Sequence, residues 1–475
     1  MLGQKLLTII RILPKNDHVP CRKYIASPYF NDSAEVVKLY DYVLQALRKA
    51  DKQQEAALKK EAAWKSLHPK KAYHDGLMRQ LTSELTRLIH GFLSQQQLEE
   101  NPTAAARMLL PKIARPELVK HFNGVMRQAN QVLAQQGRQD AHFHLQSFHL
   151  QQTQHRYNEL TDSRSNDLEN LYAAARHLEC YYHTQQLYHH CEAVSHYIFL
   201  HAEQKLPLPS ILRPDFDDIY HIKDEPVIVA FKLASKMLQD DEAAYKQLRE
   251  LMQIHEAKFG RDTLKSLYLY IKNYCIHLKI NNGDKTYFAE LFEIYRHEFA
   301  QGLLIENSRL DPQHYKNITT LGLHNGQYDW TEQFIKDNTS LLPEGNQDNA
   351  QVYNLAKLYF HKLDYSRVIE LLRTVEYNDI TYALGARLML LKTYYELGEF
   401  KPLDSLLESF GVYLRRNRTI SADVQQQYLN VLRFTRRLSN LPPGDRDALQ
   451  KLKLQLIDCK AVAAKDWLLA KIEAI

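Results

Sequence analysis

Apolar residues recur at intervals of three and four along most of the 475-residue chain, the period of a helix with one buried face. Val36, Val37, Leu39, Tyr40, Val43, Leu44 and Leu47 make one such stripe. Leu77, Met78, Leu81, Leu85, Leu88, Ile89 and Phe92 make another. Ahead of the first, Pro28 disfavours helix at Ser27 and residues 31–33 supply a cap. From 95 to 165 the pattern weakens: Pro102, Pro111 and Pro116 punctuate it, and Gly137 closes a glutamine-rich helix. Asn166-Asp167-Leu168-Glu169 has capping-box spacing. The stripe Leu168, Leu171, Ala175, Leu178 and Tyr182 then predicts one long helix over about 166–204, with a possible break near Gln185, before Pro207 and Pro209. From Glu225 onward the predicted helices shorten, separated by turn signals at residues 281–284, 311–312, 325–326, 343–345 and at Gly398. After Leu441-Pro442-Pro443-Gly444 a last helix carries Leu449, Leu452, Leu456, Val462, Trp467 and Leu468.

Within the C-terminal half the pattern repeats. Gly326-Gln327-Tyr328, Leu363-Asp364-Tyr365 and Gly398-Glu399-Phe400 align, with the ring recurring after 37 and then 35 residues (328, 365, 400). Val352, Leu355, Ala356, Tyr359, Val368, Leu372 and Val375 mark one unit; Leu390, Leu391, Tyr394, Leu403, Leu407 and Phe410 mark the next. Ile318, Thr319, Gly322, Thr331 and Ile335 give a degraded earlier unit, and Gly283-Asp284 with Phe288, Phe292 and Tyr295 an irregular one. In this register the chain resembles tetratricopeptide repeats, whose period is about 34 residues. Ala356 stands where that family needs a small residue, but Leu391 replaces it one unit later. Val368, Leu403 and Thr331 replace the second-helix alanine, so the repeat is divergent and a looser helix-pair array stays open. Nearer the start, Ser27-Pro28-Tyr29-Phe30-Asn31 followed by Trp64-Lys65-Ser66-Leu67-His68-Pro69 resembles the opening of an uncharacterised Bacteroidetes family. That likeness carries no known activity; the packing reading of these rings is a small helical module with Phe30 buried against the helix of residues 77–92, and the alternative is a recognition surface.

The resulting expectation is an all-α chain: a right-handed helix-pair, tetratricopeptide-like solenoid behind an N-terminal helical module. Its parts are the module (1–95), a connector (96–224), divergent repeats (225–440) and a capping helix (441–475). Composition agrees, since 15 glycines and 16 prolines are few for this length and both residues disfavour helix interiors. Charge adds little: 61 basic against 56 acidic residues leaves +5, a solvated surface rather than a nucleic-acid coat. Cys21, Cys180, Cys191, Cys275 and Cys459 are scattered, with no CxxC, and imply reduced thiols. Leu6–Ile10 mimics a signal sequence but Arg11 interrupts it, and no apolar run approaches the ~18 residues of a membrane span, so a cytoplasmic protein without a membrane partner is expected.

Candidate chemistry is sparse. His177, Cys180 and His183 come nearest to metal spacing, but each step of three drifts round the helix. His255-Glu256 and His297-Glu298 begin like zinc-protease helices, yet Phe259 and Gln301 stand where the second histidine belongs. No catalytic, cofactor or metal residue is therefore assigned, and the expected class is non-enzymatic. Solenoids bind macromolecules along a concave face. The register puts Lys316, Asn317, Tyr353, Asn354, Lys357 and Lys392 there, suited to a protein or peptide partner with carboxylates. The rival reading is a nucleic-acid-binding regulator gripping phosphates with Arg433, Arg436 and Arg437, which share a helix face beside Tyr428 and Phe434.

Overall fold

The computed structural model describes residues 1–49, 51–161, 168–200, 209–213, 225–345, 347–373, 380–442 and 444–474. Asn166, Asp167, Pro207, Val375 and Pro443, used above, lie outside them. Among the described residues the protein is all-α apart from one short hairpin, and the chain divides into two compact units. The first comprises Met1–Gln186, Arg213–Val229 and Ala257–Phe259; the second comprises Leu187–Leu212, Ala230–Glu256 and Gly260–Ile475.

In the first unit, Gln4–Ile12 (α1), His18–Ile25 (α2), Ala34–Leu47 (α3), Asp51–Ala57 (α4), Lys60–Leu67 (α5) and Asp75–Glu99 (α6) surround one core. The stripe on α3 buries Val36, Leu39, Tyr40 and Val43, and that on α6 buries Met78, Leu85, Leu88 and Ile89. Each such side chain contributes roughly 1.5–3 kcal/mol by leaving water. Residues 27–31 form the expected tight turn: Phe30 and Asn31 N–H donate to the Ser27 carbonyl, and Asn31 Nδ2 donates to those of Ile25 and Ser33. Phe30 itself departs from expectation. It is 37% exposed and stacks on Tyr24 at 4.2 Å, and Tyr24 is the ring that meets Phe92 of α6. Helix α2 interposes Tyr24 where direct packing of Phe30 was expected.

The weakly patterned stretch is three regular helices, Pro102–Ile113 (α7), Val119–Gln136 (α8) and Ala141–Thr161 (α9), around Leu110, Phe122, Met126, Leu133, Leu150 and Tyr157. Pro102 takes the first turn of α7, where its missing N–H costs nothing, and Gly137 ends α8 with φ 62°. The long helix follows as Glu169–Leu200 (α10), continuous through Gln185 and spanning about 48 Å.

From Pro226 a single turn geometry recurs. The helices are Pro226–Met237 (α11), Glu242–His255 (α12), Arg261–Asn273 (α13), Tyr287–Ala300 (α14), Pro312–His324 (α15), Tyr328–Asn338 (α16), Gln347–His361 (α17), Tyr365–Arg373 (α18), Ile380–Glu396 (α19) and Phe400–Arg416 (α20). Asp240, Gly283, Gly326, Leu363 and Gly398 all have positive φ, and each donates its N–H to the carbonyl three residues back. The residue after each donates five residues back, which completes a Schellman turn between the two helices of a pair. These turn residues are 43, 43, 37 and 35 apart (240, 283, 326, 363, 398). Before the third pair, a hairpin of Ile305–Glu306 (β1) and Arg309–Leu310 (β2) adds length. Asn307 and Ser308 turn it with φ of 49° and 61°.

From α13 to α20 each helix packs on its predecessor, and α15 touches α17 as α17 touches α19. Ala356 of α17 is fully buried among Val368 and Leu372 of α18 and Ala386 and Met389 of α19. A Cβ on Gly322 of α15 would fall 2.2 Å from Thr331 Oγ1, so the small residue there is a steric requirement. Ala422–Ser439 (α21), Arg446–Asp458 (α22) and Lys465–Glu473 (α23) close the unit around Val431, Phe434, Leu452, Leu456 and Leu468. A buried ion pair lies in this unit. Lys272 Nζ meets Glu298 Oε2 at 2.7 Å beneath the Tyr295 ring. Glu298 belongs to one of the two His-Glu dipeptides, and its neighbour His297 bonds Glu256 of the other at 2.7 Å.

Candidate functional site: a lysine trough on α15, α17 and α19

Successive first helices of the pairs lie side by side, so residues one repeat apart become neighbours. Lys316 on α15 is exposed, and Lys357 on α17 and Lys392 on α19 are half-buried. Burial pushes the Lys357 ammonium down to about 8, and the positive charges of Lys316 and Lys392 push it the same way. Burial also lowers Lys392, against the opposing pull of Glu396. Lys357 Nζ donates to Thr320 Oγ1 at 2.9 Å. Lys392 Nζ sits 5.6 Å from the centre of the Trp467 ring. Glu396 is already bonded by Trp467 Nε1 and Lys471 Nζ. Among the described residues no carboxylate pairs with Lys316, Lys357 or Lys392. Lys316, Lys357 and Lys392 thus stand on neighbouring helices without an ion-pair partner among the described residues, Glu396 acting on Lys392 only at longer range.

Other residues of the expected set take different roles. Asn317 is committed within the unit, donating to Tyr295 Oη at 2.9 Å and accepting from Gln313. Asn354 is not on the surface: at 1% exposure it accepts from Thr319 Oγ1 and donates to the Ala350 carbonyl, stitching α17 to α15. A polar residue flanked on both sides by neighbouring helices is caught between them. Tyr353 stays half-exposed and meets Tyr382 edge-on at 5.2 Å. Two histidines that the repeat register passed over border the lysines. His361 lies one turn beyond Lys357 and is held below its ordinary range by partial burial, Lys357, His324 and Lys392. His324 stacks on Phe288 at 4.0 Å. The i, i+4 spacing of Lys357 and His361 was the available signal.

The arginines of α21 do lie exposed on one face. Arg437 is held by Gln455, and Arg433 covers the edge of its own helix, its guanidinium 4.8 Å from the Phe434 ring centre. Phe434 is 1% exposed and Tyr428 packs on Phe410, so the interleaved rings are core rather than a base-stacking platform. A cleft of about 470 Å³ in the first unit is lined by Glu35, Trp64, His68, Leu77 and Glu84. Its polar groups are engaged locally: Trp64 Nε1 donates to the Ala72 carbonyl at 2.8 Å, and His68 faces Glu35 at 3.5 Å. The unmatched lysines make the trough the stronger candidate. No family model, curated protein or solved structure matches this chain. No helix among the described residues is long and apolar enough to cross a membrane.

Proposed function

We propose that the protein is a non-enzymatic interaction scaffold whose helix pairs form a right-handed, tetratricopeptide-like solenoid, and that its lysine trough holds an acidic peptide segment of a protein partner. The observation that carries this reading is that Lys316, Lys357 and Lys392 lie on neighbouring helices with no carboxylate in an ion pair with any of them among the described residues, while Lys316 and Lys392 both disfavour the charge on Lys357. Holding like charges together raises their energy, and a ligand carboxylate relieves it. Each charge-assisted hydrogen bond so formed contributes about 1.5–3 kcal/mol. Thr320 and the partly exposed Tyr353 add neutral partners for a peptide backbone. The five free thiols fit a reducing, cytoplasmic setting. The recurring Schellman turns support the repeat assignment, because the same pair of backbone hydrogen bonds joins the helices at 240, 283, 326, 363 and 398.

Selection from a displayed random-peptide library tests the reading. Wild-type protein should enrich Asp- and Glu-rich peptides, and Lys357→Glu combined with Lys392→Glu should lose them while helicity and melting temperature hold. Undiminished capture of acidic peptides by the double variant rejects the trough as the site.

A further inference from the structure

We propose that the first unit contains a site for a divalent transition-metal ion of the zinc class, held by His144, Cys180 and Glu225, with His177 as the residue that orients His144. The three residues come from separate elements: the start of α9, the middle of α10 and the residue just before α11. One donor atom from each lies within 4.8 Å of the other two. All three are removed from water, His144 at 3% exposure, Cys180 at 0% and the Glu225 side chain at 12%.

Neighbours engage His144 Nδ1 and Glu225 Oε1, and the Arg176 side chain also reaches the Cys180 thiol. His144 Nδ1 and His177 Nδ1 share one proton across 3.0 Å, which fixes the His144 ring. When His144 is the donor, its Nε2 presents a lone pair, the tautomer that a metal requires. Arg176 Nη2 holds Glu225 Oε1 at 3.2 Å, while Oε2 faces His144 Nε2 at 3.9 Å, too far for a hydrogen bond. Arg176, His177 and Cys180 follow at spacings of one, three and four on α10 and so share a face. Phe143 meets the His177 ring edge-on at 5.8 Å and closes that flank.

Tetrahedral zinc with bonds of about 2.0–2.3 Å sets its ligand atoms roughly 3.3–3.6 Å apart, so the donors need to close by roughly 1 Å. A thiolate, an imidazole and a carboxylate match zinc in softness and leave a fourth position for water or a further ligand. On binding, the Cys180 S–H bond breaks, its proton passes to solvent and the sulfur pair bonds the metal. The ion's two positive charges then meet one thiolate and one carboxylate, with Arg176 remaining on Glu225. Single-sequence spacing could not disclose this set, because His144 and Glu225 stand 36 and 45 residues from Cys180 (144, 180, 225).

Titration of the full chain with Co²⁺ is the test, read by the near-ultraviolet sulfur-to-cobalt charge-transfer absorption and by competition with Zn²⁺. One ion per chain should give that absorption. Cys180→Ser should abolish it and Glu225→Gln should weaken binding at least 10-fold, with helicity unchanged by circular dichroism. His177→Ala should weaken binding about 10–100-fold while keeping the charge-transfer band, as an orienting partner does. The exposed His142→Ala should change nothing. Cobalt bound without the sulfur band, a band that survives Cys180→Ser, or no binding at all overturns the proposal. If Cys180→Ser does not fold, a band in the wild type that Glu225→Gln leaves at full affinity overturns it equally.

Discussion

Leu363 holds a left-handed backbone, φ 60°, with its side chain 69% exposed, in the turn position that Gly326 and Gly398 fill in neighbouring pairs. A Cβ in that conformation costs roughly 1–2 kcal/mol, and glycine gives back about 0.5–1 kcal/mol through the freedom of the unfolded chain. Leu363→Gly should therefore stabilise the protein by about 0.5–1 kcal/mol, seen as a higher urea midpoint. A lower midpoint would mean that Leu363 makes a contact that outweighs its strain. Single residues were also where sequence reading was least secure. Asn354 read as a surface ligand because a polar residue on a helix face ordinarily meets water; only the approach of Thr319 from α15 buries it. Phe30 read as core, but Tyr24 occupies the space against Phe92. Asn354 is decided by a partner distant in the chain, and Phe30 by Tyr24, whose own place against the distant Phe92 no local pattern encodes.

Elements were far more legible, since helical period and turn chemistry are local. The stripes on α3 and α6 and the turns at Gly326, Leu363 and Gly398 stand where the spacing put them. The turn at Asp240 escaped notice because aspartate carries no glycine signal, although its φ of 69° matches the others. The inserted β1–β2 hairpin accounts for extra length between Gly283 and Gly326, while the equally long interval from Asp240 to Gly283 has no hairpin. Small residues between paired helices are the strongest packing constraint at this scale. Ala356→Leu should overpack the junction of α17, α18 and α19 and cost roughly 1–3 kcal/mol. Thermal melting checks this, with a clear fall expected; an unchanged melting temperature would show that the junction relaxes freely. Leu391, buried one unit later, shows that the neighbouring pair accommodates a larger residue by its own arrangement.

Across the whole molecule, what the sequence supplied was fold class and the order of helices, and what it withheld was which side chains converge. The metal-type cluster in the first unit and the lysines in the second both gather residues that lie tens of positions apart. The charge state of the lysines gives a direct test of their proposed role. The charged groups that act on Lys357 are Lys316 from α15 and Lys392 from α19; His361 of its own helix feels Lys357, His324 and Lys392, and Glu396 acts on Lys392. In the free protein Lys357 titrates at about 8, so it is charged below that pH and neutral above it. A bound carboxylate favours the charged form and raises that value. Binding of a peptide whose carboxylates are ionised should thus be flat just below about pH 8 and weaken above it, where complex formation must take up a proton. The measurement is pH-resolved acylation of Lys357, followed by mass spectrometry with and without a polyglutamate peptide. The account predicts half-reaction at about pH 8 in the free protein and a shift toward the ordinary lysine value of about 10.4 when the peptide is present. Half-reaction near the ordinary value in both conditions would contradict it.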